Sequence, residues 1–443
     1  MFTASTSIDW SPRGRRLVLL GLAVVVVVAT VDYAMKASRE ASAIVRWRGL
    51  VDVLVAGNNV YNEPGLGGSF PNPPLAGLVL WPFAALPPVA AALALFAVKV
   101  VLAAKALHWS IRLATADEYR LPTWSLVALL VLVSRPILSD LEHGNINIVI
   151  LFLSVAGLWS FHRGRDWLAG LAIALATAIK LTPALFIPYF AYKRQWRVVA
   201  ASLVGLVLFL VVVPGLFLGF GRNFALLRSW ADAMVWPYLL DGRVETLQVN
   251  QSLPAIWLRF VTACPGVKLH DDSVHAVNFF SLDPAVAMWS LKVIVVGQLA
   301  WLAWLARTPV AARRDWRLAC EYSLVFLAML LISERSWKHH FVTMTLPYAV
   351  LVSHIARPAC TAGMRRFLRT TLVAAFLMMA STSSELGGVV LGDGGHKFAQ
   401  AYGLFGASAI VCLAALSAVL LAARPRPINA VCATEGADAL AVA

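Results

Sequence analysis

Apolar and polar positions alternate along this chain in long blocks, not with the short period of a soluble helix or strand. Apolar runs of roughly 15–25 residues recur from Leu17 to Ala423, separated by polar or basic stretches. A run of about 20 mostly apolar residues is what an α-helix needs to cross the hydrocarbon core of a bilayer. The runs fall at about Leu17–Val31, Val89–Leu113, Leu121–Leu138, Ile146–Phe161, Val198–Phe220, Ala285–Ala306, Leu318–Ile332, Phe341–Ile355, Thr371–Leu391 and Tyr402–Ala423. Leu75–Leu86 is apolar but too short and is bracketed by prolines, which suits an interfacial or re-entrant helix. Trp167–Tyr192 is apolar with basic residues at both ends and is interrupted by Lys180, Thr182 and Pro183. A single span there would put basic residues on both sides of the membrane. Two short helices meeting near Lys180–Pro183 avoid this, and broken helices at membrane depth line cavities. The pattern predicts an all-α, polytopic membrane protein of about 10–12 transmembrane helices with short re-entrant or interfacial helices. Residues 1–426 form one transmembrane domain, followed by a disordered tail, 427–443.

Composition agrees. Hydrophobic residues fill 60% of the 443 positions and charged residues 14%, against roughly 45–50% and ~25% in soluble domains. The net charge of +14 does not indicate nucleic acid, because the basic residues sit in short clusters between apolar runs. These clusters set the orientation: Arg13, Arg15 and Arg16, Arg112 and Arg120, Arg163 and Arg165, Lys193–Arg197, Arg307–Arg317, Arg357–Arg369, and Arg424 and Arg426 all fall on one side. By the positive-inside rule that side is cytoplasmic, as are both termini. The five cysteines are scattered without CxxC spacing, giving neither a disulfide framework nor a metal site.

In this topology the polar motifs gather on the outer face. The loop SERSWKHH crowds Glu334, Arg335, Lys338, His339 and His340 beside Trp337. Arg335 and Lys338 suit a phosphate, with a histidine adding a hydrogen bond or a proton. An interfacial cluster in the aromatic belt is the plainer reading of the same residues, and zinc is disfavoured because adjacent histidines point apart on a helix. SDLEHGNIN brings Asp140, Glu142, His143, Asn145 and Asn147 into a short loop, where Gly144 permits a turn and Asn145 is placed to cap the next helix. Lys180 interrupts an apolar segment, which marks it as a functional candidate. Lys105 lies near an inner end and snorkels, while Lys99 and Lys292 lie within spans with no assigned role. In the first outer loop Asp32 stands at the membrane exit, where partial desolvation raises its basicity, and Glu40 adjoins Arg39.

Taken together, GNNVY, FPNPPLAGLVLWPFAALP, HGNINIVILFL, AGLAIALATAIKLTPALFIPYF with its basic cluster, NQSL and SERSWKHH resemble glycosyltransferase family 87, of the membrane-embedded GT-C class. The variant forms of RWR, FPNPP and SERSWKHH resemble a bacterial, planctomycete-like branch. The resemblance covers about Tyr33–His354. It implies a mannose- or arabinose-like sugar carried on polyprenyl phosphate and transferred, with inversion, to an envelope glycolipid or glycan at the outer face of the cytoplasmic membrane. It implies a carboxylate base soon after the first span, but the corresponding position, near Ala41–Ala43, is not acidic here. Four carboxylates remain open for that role: Glu40, Asp32, Asp140 and Glu142. Lys180, Arg335, Lys338, His339 and His340 fall to the donor phosphate, and Tyr61, Asn72, His143, Asn145, Asn250, Gln251 and Trp337 to the substrate lining. No cofactor, metal or nucleic-acid partner is expected. The alternative, a transporter or flippase of a lipid-linked sugar without chemistry, would place polar residues deep in several spans of both halves.

Overall fold

The computed structural model describes residues 8–39, 43–62, 70–392 and 394–423. Glu40 and the tail, 427–443, lie outside them. The described chain is helical almost throughout. Its only strand pairings among these residues are two-residue contacts, one parallel (Ile8–Asp9 with Leu121–Pro122) and one antiparallel (Val267–Lys268 with Val274–His275).

The helices in chain order are α1 (Pro12–Ser38), α2 (Ala43–Val55), α3 (Pro74–Ala84), α4 (Pro88–Thr115), α5 (Thr123–His143), α6 (Asn147–His162), α7 (Asp166–Ile179), α8 (Phe186–Tyr192), α9 (Trp196–Leu206), α10 (Val213–Leu218), α11 (Phe220–Trp230), α12 (Trp236–Leu239) and α13 (Leu253–Val261). They continue as α14 (Pro284–Leu305), α15 (Trp316–Leu331), α16 (Thr345–Ala356), α17 (Ala362–Ser381), α18 (Leu386–Leu391), α19 (Gly395–Ala401) and α20 (Leu404–Ala422). Among the described residues, α1, α4, α5, the run from α9 through α10, α14 and α20 are long and apolar enough to cross a membrane. The protein is therefore a polytopic, all-α membrane protein. The shorter apolar helices among the described residues are α3, α6 and α7.

Burial follows sequence character. Every residue of α15 from Leu318 to Leu331 is buried, as expected for a helix apolar all round that forms the axis of a bundle. In contrast, α1 and α14 present most of their apolar surface outward, where lipid is the solvent. Small residues bring α7 and α9 together: a Cβ on Gly205 would lie 2.6 Å from that of Ala174, and one on Gly170 would collide with the Val198 carbonyl. Such close backbone approach is how helices gain dispersion energy where no hydrophobic drive exists between them.

Three local features differ from the sequence expectations. First, α1 continues to Ser38, so Asp32 and Lys36 lie one helical turn apart instead of opening an outer loop. Second, Ser139–His143 is the last turn of α5 and not a loop; the chain reverses only at Gly144, in the left-handed region (φ 66°). A side chain there would also strike the Tyr33 hydroxyl, so glycine is required on two counts. Third, Asn145 does not cap α6. The first amide of that helix, Asn147 N, donates instead to Asp140 Oδ2 at 3.2 Å, so a carboxylate from the preceding helix serves the positive end of the next.

The broken helix is present as the sequence predicts. α7 stops at Ile179, Lys180 is extended (φ −151°, ψ 128°), and a 3₁₀ turn over Thr182–Leu185 leads into α8. The β-carbon-branched Thr182 followed by Pro183 explains the stop: proline removes an amide donor and disfavours helical geometry in the residue before it.

Candidate active site

A cleft opens between the break after α7, the start of α6, the end of α15 and the SERSWKHH segment. Asn147, Lys180, Thr182, Ser333, Arg335, Ser336 and His340 line it together with apolar residues of α6 and α15. Residues separated by up to two hundred positions in sequence thus share one cavity, and two of them, Lys180 and Arg335, are basic.

Each charged group is held by identifiable partners. Lys180 Nζ donates to Asn147 Oδ1 at 2.7 Å, and Asn147 Nδ2 donates to Asp140 Oδ2 at 2.9 Å. Lys99, fully buried on α4, pairs with Asp140 Oδ1 at 2.7 Å and also donates to the Asp140 carbonyl at 2.5 Å. Arg335 is half-buried, 3.3 Å from Glu245 and 3.6 Å from Glu334, and its guanidinium lies 5.8 Å from the Trp337 ring. His340 Nδ1 sits 3.2 Å from the Trp337 amide and 3.1 Å from the Arg335 carbonyl. That anchoring fixes the ring at the cleft wall. Burial, reinforced by the Lys180 charge, holds both His339 and His340 well below the ordinary histidine range, so both rings are neutral at physiological pH.

A second group adjoins the cleft. The His339 ring packs 4.8 Å from His340, 5.6 Å from Trp337 and 5.8 Å from His143. His143 is oriented by the Ser139 carbonyl at 2.7 Å. Lys338 is exposed at the rim. Lys36 bridges two candidate carboxylates, Asp32 at 2.7 Å and Glu142 at 3.5 Å, all three remaining partly open to solvent. Of the carboxylates proposed from sequence, Asp140 is fully enclosed, Asp32 and Glu142 stand at the rim, and Glu40 lies outside the described residues.

Other sequence candidates are placed differently. Asn250 is fully buried and its side chain joins two loops: it donates to the Glu245 and Glu334 carbonyls at 2.8 and 2.7 Å and accepts from the Ser336 and Ser252 amides at 2.8 and 3.1 Å. Gln251 donates to the Gln248 and Gln400 carbonyls and accepts from the Gly406 amide. Asn250 thus holds the SERSWKHH loop, while Gln251 ties its own loop to the chain ahead of and within α20. Tyr61 donates to the Asn72 carbonyl at 2.7 Å, tying both into the turn before α3. Asn145 is half-buried beside the Gly144 turn. Lys292 is exposed on α14 with its ammonium over the Trp289 ring, a snorkelling arrangement.

The structure adds residues that carried no assignment. Lys99 and Asn147 complete the contacts around Asp140 and Lys180. Arg135 sits inside α5 next to Pro136, over the Phe405 ring at 5.0 Å. An arginine in an apolar run was a signal available from the sequence alone.

Residues 70–334 match glycosyltransferase family 87, and the chain belongs to that family. It is similar to the polyprenol-phosphate-mannose-dependent alpha-(1-2)-phosphatidylinositol mannoside mannosyltransferase of Mycobacterium tuberculosis: 30% identical over 316 residues, which is 68% of this chain and 65% of that protein. The protein of the same name from Mycolicibacterium smegmatis is 28% identical over 67% of this chain and 64% of its own length. An alpha-(1->3)-arabinofuranosyltransferase of Corynebacterium glutamicum is 29% identical over 31% of this chain and 30% of its own. The match thus spans just under two thirds of the two mannosyltransferases. No solved structure matches the chain.

Proposed function

We infer that this protein is a membrane glycosyltransferase that moves a mannose- or arabinose-like sugar from polyprenyl phosphate to a lipid-anchored or glycan acceptor of the cell envelope. The observation that carries the reading is the convergence of Lys180, Arg335, Ser336 and His340 on one cleft, in a chain of this family. A lipid-phosphate leaving group gains negative charge as its bond to the sugar breaks, and fixed cations in a low-dielectric cleft stabilise that charge most effectively. Lys180 and Arg335 suit the phosphate oxygens. Lys338, His339 and His340 complete the phosphate side, with the neutral His340 as a hydrogen-bond donor. The cations of the chain supply the charge that a metal would otherwise supply.

The step balances as a single displacement. An acceptor hydroxyl oxygen forms a bond to the anomeric carbon as the bond from that carbon to the phosphate oxygen breaks. The hydroxyl proton passes to a carboxylate, and polyprenyl phosphate leaves with the electron pair. Attack opposite the leaving group inverts the anomeric centre. Asp32 and Glu142, at the rim and within reach of solvent, are the carboxylates best placed to meet an acceptor; Glu40 is the third candidate. Asp140 is the fourth, and it reaches an acceptor only by giving up its contacts to Lys99 and Asn147. His143 and Trp337 line the acceptor side. The cleft faces outward from the inner membrane, both termini are cytoplasmic, and residues 1–426 act as one unit.

Purified protein supplied with polyprenyl-phosphate mannose, polyprenyl-phosphate arabinose and envelope lipids of the source organism should release polyprenyl phosphate and yield a glycosylated lipid or glycan visible by mass spectrometry. Binding of the donor with no product from any acceptor fraction, together with passage of donor across sealed vesicles, would overturn the enzyme reading in favour of a flippase.

A further inference from the structure

We propose that Lys99, through Asp140 and Asn147, is a positioning residue that sets both the orientation and the net charge of the cleft. This inference rests on the reading of the cleft as a phosphate site. Four side chains from α4, α5, α6 and the α7 break form an unbroken sequence: Lys99 ammonium, Asp140 carboxylate, Asn147 amide, Lys180 ammonium. The first three are buried, with Lys99 and Asp140 fully enclosed.

The order of donors and acceptors leaves a single arrangement. Asp140 Oδ1 faces Lys99, so Oδ2 is left for Asn147, where it accepts both the backbone amide and Nδ2. With Nδ2 held there, Asn147 Oδ1 must point the other way, and it accepts from Lys180. A neutral amide thus anchors Lys180 without neutralising it. Among the described residues, no carboxylate pairs with Lys180, whereas Arg335 has two carboxylate neighbours. The Lys99–Asp140 pair is neutral as a unit, so the relay leaves the charge of a protonated Lys180 unopposed in the cleft. Without Lys99 the buried carboxylate would be left with Lys180 as its nearest charged partner by way of Asn147, and it would draw that cation away from an incoming anion.

The test uses the purified full-length chain with two readouts. One is the rate at which a small amine-reactive reagent acylates Lys180 at fixed pH, read at that site by mass spectrometry. The other is the affinity for farnesyl phosphate, a short isoprenoid phosphate. Lys99→Met should slow Lys180 acylation and weaken farnesyl phosphate by about tenfold or more, the scale of one lost charge-assisted contact. The double change Lys99→Met/Asp140→Asn removes both charges and should return both readouts toward wild type. Wild-type acylation and affinity in Lys99→Met would overturn the proposal. Should that variant fail to fold, the double variant decides: loss of both readouts in a folded double variant overturns it, and retention supports it. A shift in acylation in a protein that never binds farnesyl phosphate would leave the relay standing and refute the phosphate reading instead.

Discussion

Two buried lysine–carboxylate pairs lie at opposite ends of the bundle, and they are put to different uses. Near the start of α15, Lys193 pairs with Glu321 at 2.7 Å. Its ammonium also donates to the Ala306 and Thr308 carbonyls at 2.7 and 2.5 Å, and Tyr189 donates to Glu321 at 2.7 Å. Every polar group there is engaged, so the pair closes on itself and joins α8, the end of α14 and α15. The Lys99–Asp140 pair lies near the other end of α15; Glu321 and the cleft residue Leu330 are nine residues apart, roughly 14 Å along the axis. There the carboxylate keeps one oxygen for Asn147, and the chain of contacts ends on a cation that faces a cavity. A closed pair is a fastener. A pair with an open end transmits charge and orientation to a site.

The sharpest break of this comparison lies at the open end. Lys180→Ala should lower sugar transfer about 10²–10³-fold in kcat, the loss typical of removing one charge-stabilising donor, while thermal stability in detergent stays near wild type. Transfer at the wild-type rate would remove Lys180 from the phosphate site. At the closed end, Lys193→Met should cost about 3–5 kcal/mol of stability, because Glu321 is left buried without its partner, and any activity loss should track the folded fraction. A thermal-unfolding series checks this, and a stable but inactive variant would contradict the assignment of a purely structural role.

Between these lies Asn147→Asp. It is nearly isosteric, but it places a carboxylate against both Asp140 and Lys180. It should weaken farnesyl phosphate more than Asn147→Leu does, by about tenfold, as measured by titration of the purified variants. Equal losses would mean that charge at this position does not matter. For the base, Glu142→Gln and Asp32→Asn should each be compared with Glu40→Gln and Asp140→Asn in turnover at saturating donor. The true base loses about 10²–10⁴-fold with donor affinity kept; full activity in all four would place the base elsewhere. The smallest perturbation tests which end faces out. In a background lacking Cys264, Val274→Cys, half exposed, should react with a membrane-impermeant thiol reagent on intact cells, and Arg163→Cys only after permeabilisation. The reverse pattern would invert the topology.

Much of the site was legible in the sequence because its signals are violations of the membrane's rules. Lys180, with Thr182 and Pro183 behind it, interrupts an apolar segment, and the break is where the pattern places it. SERSWKHH concentrates charge at a helix boundary, and Arg335 and His340 line the cleft. The backbone partners of Asn250 and Gln251 were not legible, because a buried amide bonded to backbone and a substrate-facing amide look the same in one dimension. Lys99 was visible as a charge within a span, but its role depends on a partner 41 positions away that the chain brings near only by reversing direction. The helical state of Ser139–His143 was hidden because polar residues read as loop, whereas here Asp140 faces the interior, where Lys99 and Asn147 meet it, and Glu142 stands at the rim.

The tight seam between α7 and α9 has a mechanical consequence. Gly170 acts as a fulcrum, and Lys180 sits ten residues further along the same rod, about 15 Å away at 1.5 Å per residue. A side chain at Gly170 that tilted α7 by about 5° would swing the Lys180 backbone by roughly 1.3 Å over that arm, enough to pull its ammonium out of hydrogen-bonding range of Asn147. Displacements of about 1 Å at a reacting centre cost on the order of 10²-fold in rate. The aim of this cation is thus governed from a glycine buried between two helices, away from the cleft, and Gly170→Ala should act at a distance as a misaligned lever.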